Sequence, residues 1–346
     1  MATAYFSHPT CAMHDMGAAH FDSPGRVKII ESNLKGDNLL KLMHCYKALP
    51  ASKDHLLLAH DADYIDSLIE FNQRRVDTLI ALSPEATKEP ITFYSDLGLN
   101  EYSMQAAELS AGSVIQSVDL TMARCADNVF CVTRPPGHNA GRSFSKDGCI
   151  INNVMVGAKY AKLVYRLKRI AIVDFDASFG FGTQDIMKDD ENFLYISIFQ
   201  HRQNEKDLFQ KKYDNVKRFP MMKRYDGERY RTIFNNYVLP TLREYNPQLL
   251  FISAGFNAHA SDLTSNLKLT DADYYWMTES LLAEDCLEES CSVISVLEGG
   301  YNLKALSKSV NQHIRALLGS PEKLYPSKPI RPVENLHASQ HKAFHP

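Results

Sequence analysis

Short apolar runs rich in branched and aromatic residues alternate along this chain with longer segments in which apolar and small residues recur at helical spacing. Continuous runs at 129–132, 170–173, 194–198, 249–253 and 293–297 predict strands buried on both faces. Segments 101–123, 152–167, 229–245 and 271–287 predict helices between them. Strands alternating with helices imply a parallel sheet wrapped by helices. Every strong strand but the third runs into a polar or glycine-rich loop: Arg134-Pro-Pro-Gly-His-Asn139, Asp174-Phe-Asp176, Ser253-Ala-Gly-Phe-Asn-Ala-His259 and Glu298-Gly-Gly-Tyr-Asn302. Parallel strands deliver such loops to one edge of a sheet, where α/β folds bind ligands.

Two segments break the alternation. Residues 201–231 are irregular and basic, with Lys206, Lys211, Lys212, Lys217, Arg218, Lys223 and Arg224 among them, and suggest a long excursion. Beyond Leu318 the four prolines 321, 326, 329 and 332 and the lack of periodicity predict an extended tail. The expected organisation is one domain over 1–320 followed by a tail over 321–346.

The chain has 346 residues, 45% of them hydrophobic, enough to bury a large core. Its formal charge of −3 excludes a global polyanion-binding surface, so partners have to be argued locally. Seven scattered cysteines without C-x-x-C spacing favour a reducing compartment. No apolar run approaches the roughly 20 residues of a membrane span, and the start lacks a signal-peptide layout. A soluble cytoplasmic or nuclear protein is the expectation.

Candidate chemistry concentrates at Arg169-Ile-Ala-Ile-Val-Asp-Phe-Asp-Ala-Ser-Phe-Gly-Phe-Gly-Thr183. A buried strand here delivers Asp174 and Asp176 to its carboxyl end. Catalytic zinc needs about three donors from His, Asp, Glu or Cys plus a water. After Asp176 the chain offers only Ala177, Ser178 and Phe179; a serine hydroxyl is a poor zinc ligand and a phenylalanine is none.

The ordered set Arg134-Pro-Pro-Gly-His138, Cys149-Ile-Ile-Asn-Asn153, Val173-Asp-Phe-Asp176, Gly182-Thr-Gln184, Leu194-Tyr-Ile-Ser197, Ser253-Ala-Gly-Phe256 and Leu297-Glu-Gly-Gly-Tyr-Asn302 resembles the histone deacetylase family, nearest its class II and bacterial acetylpolyamine-amidohydrolase-like branch. His14, His20-Phe-Asp-Ser-Pro-Gly-Arg26 and His60-Asp-Ala-Asp-Tyr-Ile65 fit its opening pattern, so the match runs from about Tyr5 to Leu318. The resemblance implies an arginase/deacetylase-type three-layer α/β fold, a central mostly parallel sheet flanked by helices. It also implies a zinc-activated water attacking an acetyl-lysine or acetyl-amine carbonyl, with a histidine pair moving protons and a tyrosine steadying the oxyanion.

Carried over residue by residue, Asp176 matches the first metal carboxylate, Ser178 stands at the ligating histidine and Asn257 at the second aspartate. His138 matches the first histidine of the pair, while Asn139 stands at the general base, which an amide cannot replace near neutral pH. Phe179 and Phe181 occupy positions that usually carry a histidine and the aspartate or asparagine orienting the base. Gly148 stands where a phenylalanine lines the acyl tunnel, beside Asp147 in place of a glycine. Tyr301 matches the oxyanion tyrosine. Asp174 and Ser197, with the carbonyls of Asp176, Ser178 and Ile198, match a monovalent cation site, usually potassium.

These substitutions predict a catalytically degenerate deacetylase-like protein without zinc, a pocket rebuilt for packing, and a role as scaffold, complex subunit or acyl-ligand binder. The alternatives left open are an active amidohydrolase whose metal site is completed by His259 or another residue, and an engineered inactive enzyme, against which the changes at Phe179, Phe181 and Gly148 argue. Asp174 and His138 also suit a buried hydrogen-bonded couple, and Tyr301 a packed tyrosine. Cys149 suits a structural role. The basic stretch over 206–231, with Phe209, Tyr213, Phe219 and Tyr225 interleaved, suits a solvated face, or a contact surface for an acidic partner or nucleic acid.

Overall fold

A computed structural model describes residues 2–17, 20–81, 91–94, 97–202, 211–283, 286–288 and 290–319. The strands, in chain order, are β1 (Thr3–Ser7), β2 (His44–Lys47), β3 (Ile91–Tyr94), β4 (Leu97–Leu99), β5 (Asn128–Cys131), β6 (Ile170–Asp174), β7 (Phe193–Gln200), β8 (Val216–Met221), β9 (Leu249–Ala254) and β10 (Ser292–Leu297). Eight of them form one sheet in the order β2-β1-β5-β10-β9-β6-β7-β8, and every pair in it is parallel. β3 and β4 make a separate antiparallel hairpin.

The helices are α1 (Gly25–Gly36), α2 (Lys53–Leu56), α3 (Ala62–Ala81), α4 (Ser103–Met122), α5 (Asn153–Tyr165), α6 (Phe181–Met187), α7 (Gly227–Ile233), α8 (Leu239–Tyr245), α9 (Asp271–Leu281) and α10 (Leu303–Leu318). They cover both faces of the sheet. Ile170 and Ile172 of β6 point into a core shared with α4 and α5, while Ala171 and Val173 point into one shared with α8, α9 and α10. Side chains of a strand alternate between faces, so a strand with a helix layer on each side must be apolar at every position. That is the three-layer α/β arrangement the sequence predicts.

The five predicted strands are present with ends moved by at most two residues. The basic stretch differs from expectation: it contains β8 and the start of α7 rather than continuous irregular chain. In β8 only Val216 and Met221 are fully buried, and Pro220 cannot donate to a ladder; both fit its place at the sheet edge. The helix expected over 229–245 is interrupted by a π-helical turn at Phe234–Val238, just before Pro240, whose missing N–H breaks the regular ladder. The helix expected over 271–287 stops at Leu281. The expected tail over 321–346 and residues 206–210 lie outside the described residues.

Candidate functional site

The predicted site residues meet at the carboxyl edge of the sheet. β6 ends at Asp174, whose neighbours in register are Ser197 on β7 and Ser253 on β9. Asp174 Oδ2 accepts from Tyr195 Oη at 2.7 Å and pairs with His138 Nδ1 at 2.9 Å, while Oδ1 accepts from the Asp176 amide at 3.0 Å. Ser197 Oγ and Ser253 Oγ are buried and make no hydrogen bond of normal geometry within the protein.

Two residues on, Asp176 is enclosed by its surroundings. Oδ1 accepts from the Ser178 amide at 2.8 Å, Ser178 Oγ at 2.7 Å and Asn257 Nδ2 at 2.8 Å, and Oδ2 accepts from the Gly299 amide at 2.9 Å. Asn257 Oδ1 is used as well, accepting from the Ala177 amide at 2.8 Å. The backbone closes this tightly because Gly255 and Gly299 lack side chains: a Cβ there would stand 2.2 and 2.4 Å from Asp176 Oδ2. Burial alone would raise the Asp176 carboxyl, but His138 and these donors outweigh it and hold it below the usual range. Asp176, Ser178 and Asn257 are thus brought together, with each hydrogen-bonded to the others or to backbone.

His138 sits between the carboxylates. Its Nε2 lies 3.9 Å from Asp176 Oδ1, and its own backbone amide donates at 3.1 Å to Glu298 Oε2, which also accepts from the Gly137 amide at 2.7 Å. Burial opposes a charge on the ring, but Asp174 and Asp176 offset it and raise His138 to about 10. Asn139 Oδ1 accepts from the Phe181 amide at 3.2 Å and its Nδ2 donates to Asp147 Oδ2 at 3.3 Å. That orientation also turns Nδ2 towards His138 Nε2, at 3.2 Å.

Glu298 was quoted in a motif but given no role by the sequence. Its side chain is fully buried, burial pushes its carboxyl up to about 7, and Oε1 has no hydrogen-bond partner within the protein. The available signal was its position, an ionisable residue directly after a central strand. Cys149 is also buried beside it, and His138, Cys149 and Glu298 each offer a ligand atom within 4.8 Å of the others.

Above this floor lies a cavity of about 570 Å³ lined by His20, Asp147, Ser178, Asn257, Leu263 and Tyr301, among others. Phe179 is fully buried against Phe181, Tyr195 and Phe199, and Phe181 packs half-buried under Lys146, 3.7 Å from its ring centroid. The phenylalanines therefore fill space beside the floor and leave an open pocket, where the sequence suggested one rebuilt for packing. Tyr301 stays at the pocket, its ring between Arg26 (4.9 Å) and Phe21 (5.6 Å). Arg26 is anchored in turn by Asp22, which also binds Arg134.

His259 is not among the cavity's lining residues: Nδ1 accepts from the Ser261 amide at 3.0 Å and Nε2 lies 3.4 Å from Asp271 Oδ1. Of the aromatics in the basic stretch, Phe219 and Tyr225 pack against one core, and Tyr213 against the other. No helix among the described residues is long and apolar enough to cross a membrane.

Comparison with known proteins gives this site a context. The histone deacetylase domain matches residues 20–317. The chain is 31% identical to type-2 histone deacetylase 2 of Dictyostelium discoideum over 90% of its own length but only 20% of that protein, and 30% identical to the polyamine deacetylase HDAC10 of Danio rerio over 88% and 45%. It thus spans a fifth to under half of these two relatives, whereas it covers 96% of an uncharacterized protein of Synechocystis sp. at 30% identity. Among solved structures, the HDA15 HD domain superposes with a TM-score of 0.80 at 26% identity, covering 93% of both chains.

Proposed function

This chain belongs to the histone deacetylase family, and we propose that it is a non-hydrolysing member, a deacetylase-like domain that keeps a ligand pocket without the family's zinc chemistry. The observation that carries this reading is the closed hydrogen-bond set around Asp176. Asp176, Ser178 and Asn257 do not fit a zinc ion: they supply one charged donor, a hydroxyl and an amide, and Asp176 Oδ1 already accepts three hydrogen bonds. An amide at Asn139 cannot take a proton from a nucleophilic water, so the general base is missing too.

What remains suits binding. Tyr301 offers a phenol over the cavity, and Phe21 and Leu263, 61% and 97% exposed, form an apolar rim. The ligand class that follows from the relatives' names is an acetylated amine or acetyl-lysine, held without turnover, in a scaffold or complex subunit acting with a protein partner. Asp174 and Ser197 support a retained monovalent cation, potassium, because Ser197 Oγ is buried without a hydrogen bond of normal geometry.

The test is amide hydrolysis and equilibrium binding of acetyl-lysine peptides and acetylated amines by the full chain. A Ser178→His, Asn257→Asp, Asn139→His variant restores ligand and base types. Expected is binding without hydrolysis by the unaltered chain, weakened about tenfold in Tyr301→Phe, in keeping with the loss of one hydrogen bond to a buried carbonyl. Metal-dependent turnover by the unaltered chain, abolished by Asn257→Ala, would overturn the reading.

A further inference from the structure

Around His138 stands a second set of metal-ligand types, displaced from the family position. His138, Cys149 and Glu298 are 3%, 1% and 0% exposed, and their ligand atoms lie within 4.8 Å of one another. An imidazole nitrogen, a sulfur and a carboxylate oxygen are the donors of zinc sites. In a tetrahedral site with metal distances of roughly 2.0–2.3 Å, ligand atoms stand roughly 3.5 Å apart.

Two features of the geometry point these groups at a cation. Glu298 Oε1 is buried with no hydrogen-bond partner, which is costly for a carboxylate oxygen left without a ligand. His138 gives Nδ1 to Asp174 at 2.9 Å, a carboxylate–histidine couple of the kind that orients metal-binding imidazoles, and its Nε2 meets Asn139 Nδ2 at 3.2 Å, a contact the ion would replace. Asp176 stands on the other side of the same ring, with Oδ1 3.9 Å from Nε2, so two carboxylates favour a cation here.

We propose that His138, Cys149 and Glu298 form a binding site for one thiophilic divalent metal ion of the zinc class, separate from the position of Asp176, Ser178 and Asn257. The inference rests on the reading that this latter position holds no metal. Binding converts the Cys149 thiol to a thiolate and releases its proton to solvent. The ion is coordinated without an activated water being required of it, so the site anchors the loops after β5 and β10 to one another.

Cobalt(II) titrated into the metal-stripped full chain provides the probe, because a thiolate ligand produces a near-ultraviolet charge-transfer band that oxygen and nitrogen donors do not. One equivalent of cobalt with this band is expected, displaced by zinc, with the band lost in Cys149→Ser and zinc affinity reduced at least about tenfold in both Cys149→Ser and Glu298→Gln. Ser178→Ala and Asn257→Ala should leave both readouts unchanged. Absence of the band, or its survival in Cys149→Ser through the more exposed thiols, overturns the inference alone. Metal binding lost in Asn257→Ala and kept in Cys149→Ser overturns the reading of the family position as well. Melting temperatures of the metal-free variants within a few degrees of the unaltered chain exclude misfolding as the cause.

Discussion

His313 and His138 are both buried histidines beside the central sheet, and they are treated in opposite ways. His313 Nδ1 meets Thr278 Oγ1 at 2.6 Å and Nε2 meets Ser295 Oγ at 2.7 Å, with no carboxylate in contact. His60 is similar, with Nδ1 donating to the Gly141 carbonyl at 2.8 Å and Nε2 accepting from the Asn152 amide at 3.0 Å. Burial keeps both rings neutral, lowering His60 to about 4 and His313 to about 3. Around His138 stand two aspartates and Glu298, and the unsatisfied Glu298 Oε1 and Ser197 Oγ lie at the same sheet edge. In His60 and His313 both ring nitrogens are satisfied, whereas buried His14 bonds Ser103 through Nδ1 and leaves Nε2 without a hydrogen bond. Among the described residues, buried atoms without a partner are scattered through the fold, Tyr5 Oη, Ser110 Oγ and Asn128 Oδ1 among them; what sets the His138 region apart is that one of them, Glu298 Oε1, belongs to a carboxyl group.

The largest effect that tests this contrast is the acid limb of stability. A histidine with a lowered folded pKa contributes stability that is complete above its unfolded value of about 6.5 and is lost as pH falls through the folded value. His60 should cost on the order of 3 kcal/mol and His313 on the order of 5 kcal/mol between pH 6.5 and pH 3, read by urea unfolding at stepped pH. A flat profile over that window would show that these rings are charged in the fold and dissolve the comparison.

Next in size is His313→Ala, which strands Thr278 and Ser295 without their shared partner and leaves a cavity. A loss of about 2–4 kcal/mol at pH 7 is expected, with a shallower acid limb, whereas a loss under about 1 kcal/mol would mean the ring is not the structural bridge its geometry implies. The smallest is Ser197→Ala. Since Oγ makes no hydrogen bond of normal geometry, the change should shift stability by about 0.5 kcal/mol or less in a potassium-free buffer. It should also remove any rise in melting temperature that potassium gives over a large organic cation. A rise that survives in the variant would place the ion elsewhere.

Most of the architecture was legible because central parallel strands, buried on both faces, must be apolar throughout, as in β6 and β9. Three strands of the large sheet escaped, and β1 is internal and buried, its short Thr3-Ala-Tyr-Phe-Ser7 run too mixed in polarity to stand out. β2 alternates half-buried with exposed positions at one edge of the sheet, and β8 carries Pro220 at the other. The loops that bring Ser178, Asn257 and Tyr301 to the pocket were legible too, since each follows a strong strand, whereas His20 and Phe21 come from a segment that follows no predicted strand. Glu298 was visible as part of such a loop, yet nothing in sequence says that one of its oxygens stays unpaired.

The sequence by itself therefore determined the parallel sheet, the edge that bears the site, and the donor types at Asp176, Ser178 and Asn257, because periodicity and side-chain chemistry are local properties. Only the tertiary structure decided that Asn257 and Ser178 turn their hydrogens onto Asp176, that the phenylalanines leave a pocket open, and that Cys149 and Glu298 stand beside His138. Those facts join residues up to 160 positions apart, such as His138 and Glu298. Their separation in space is set by how strands stack in the sheet, which no local pattern encodes.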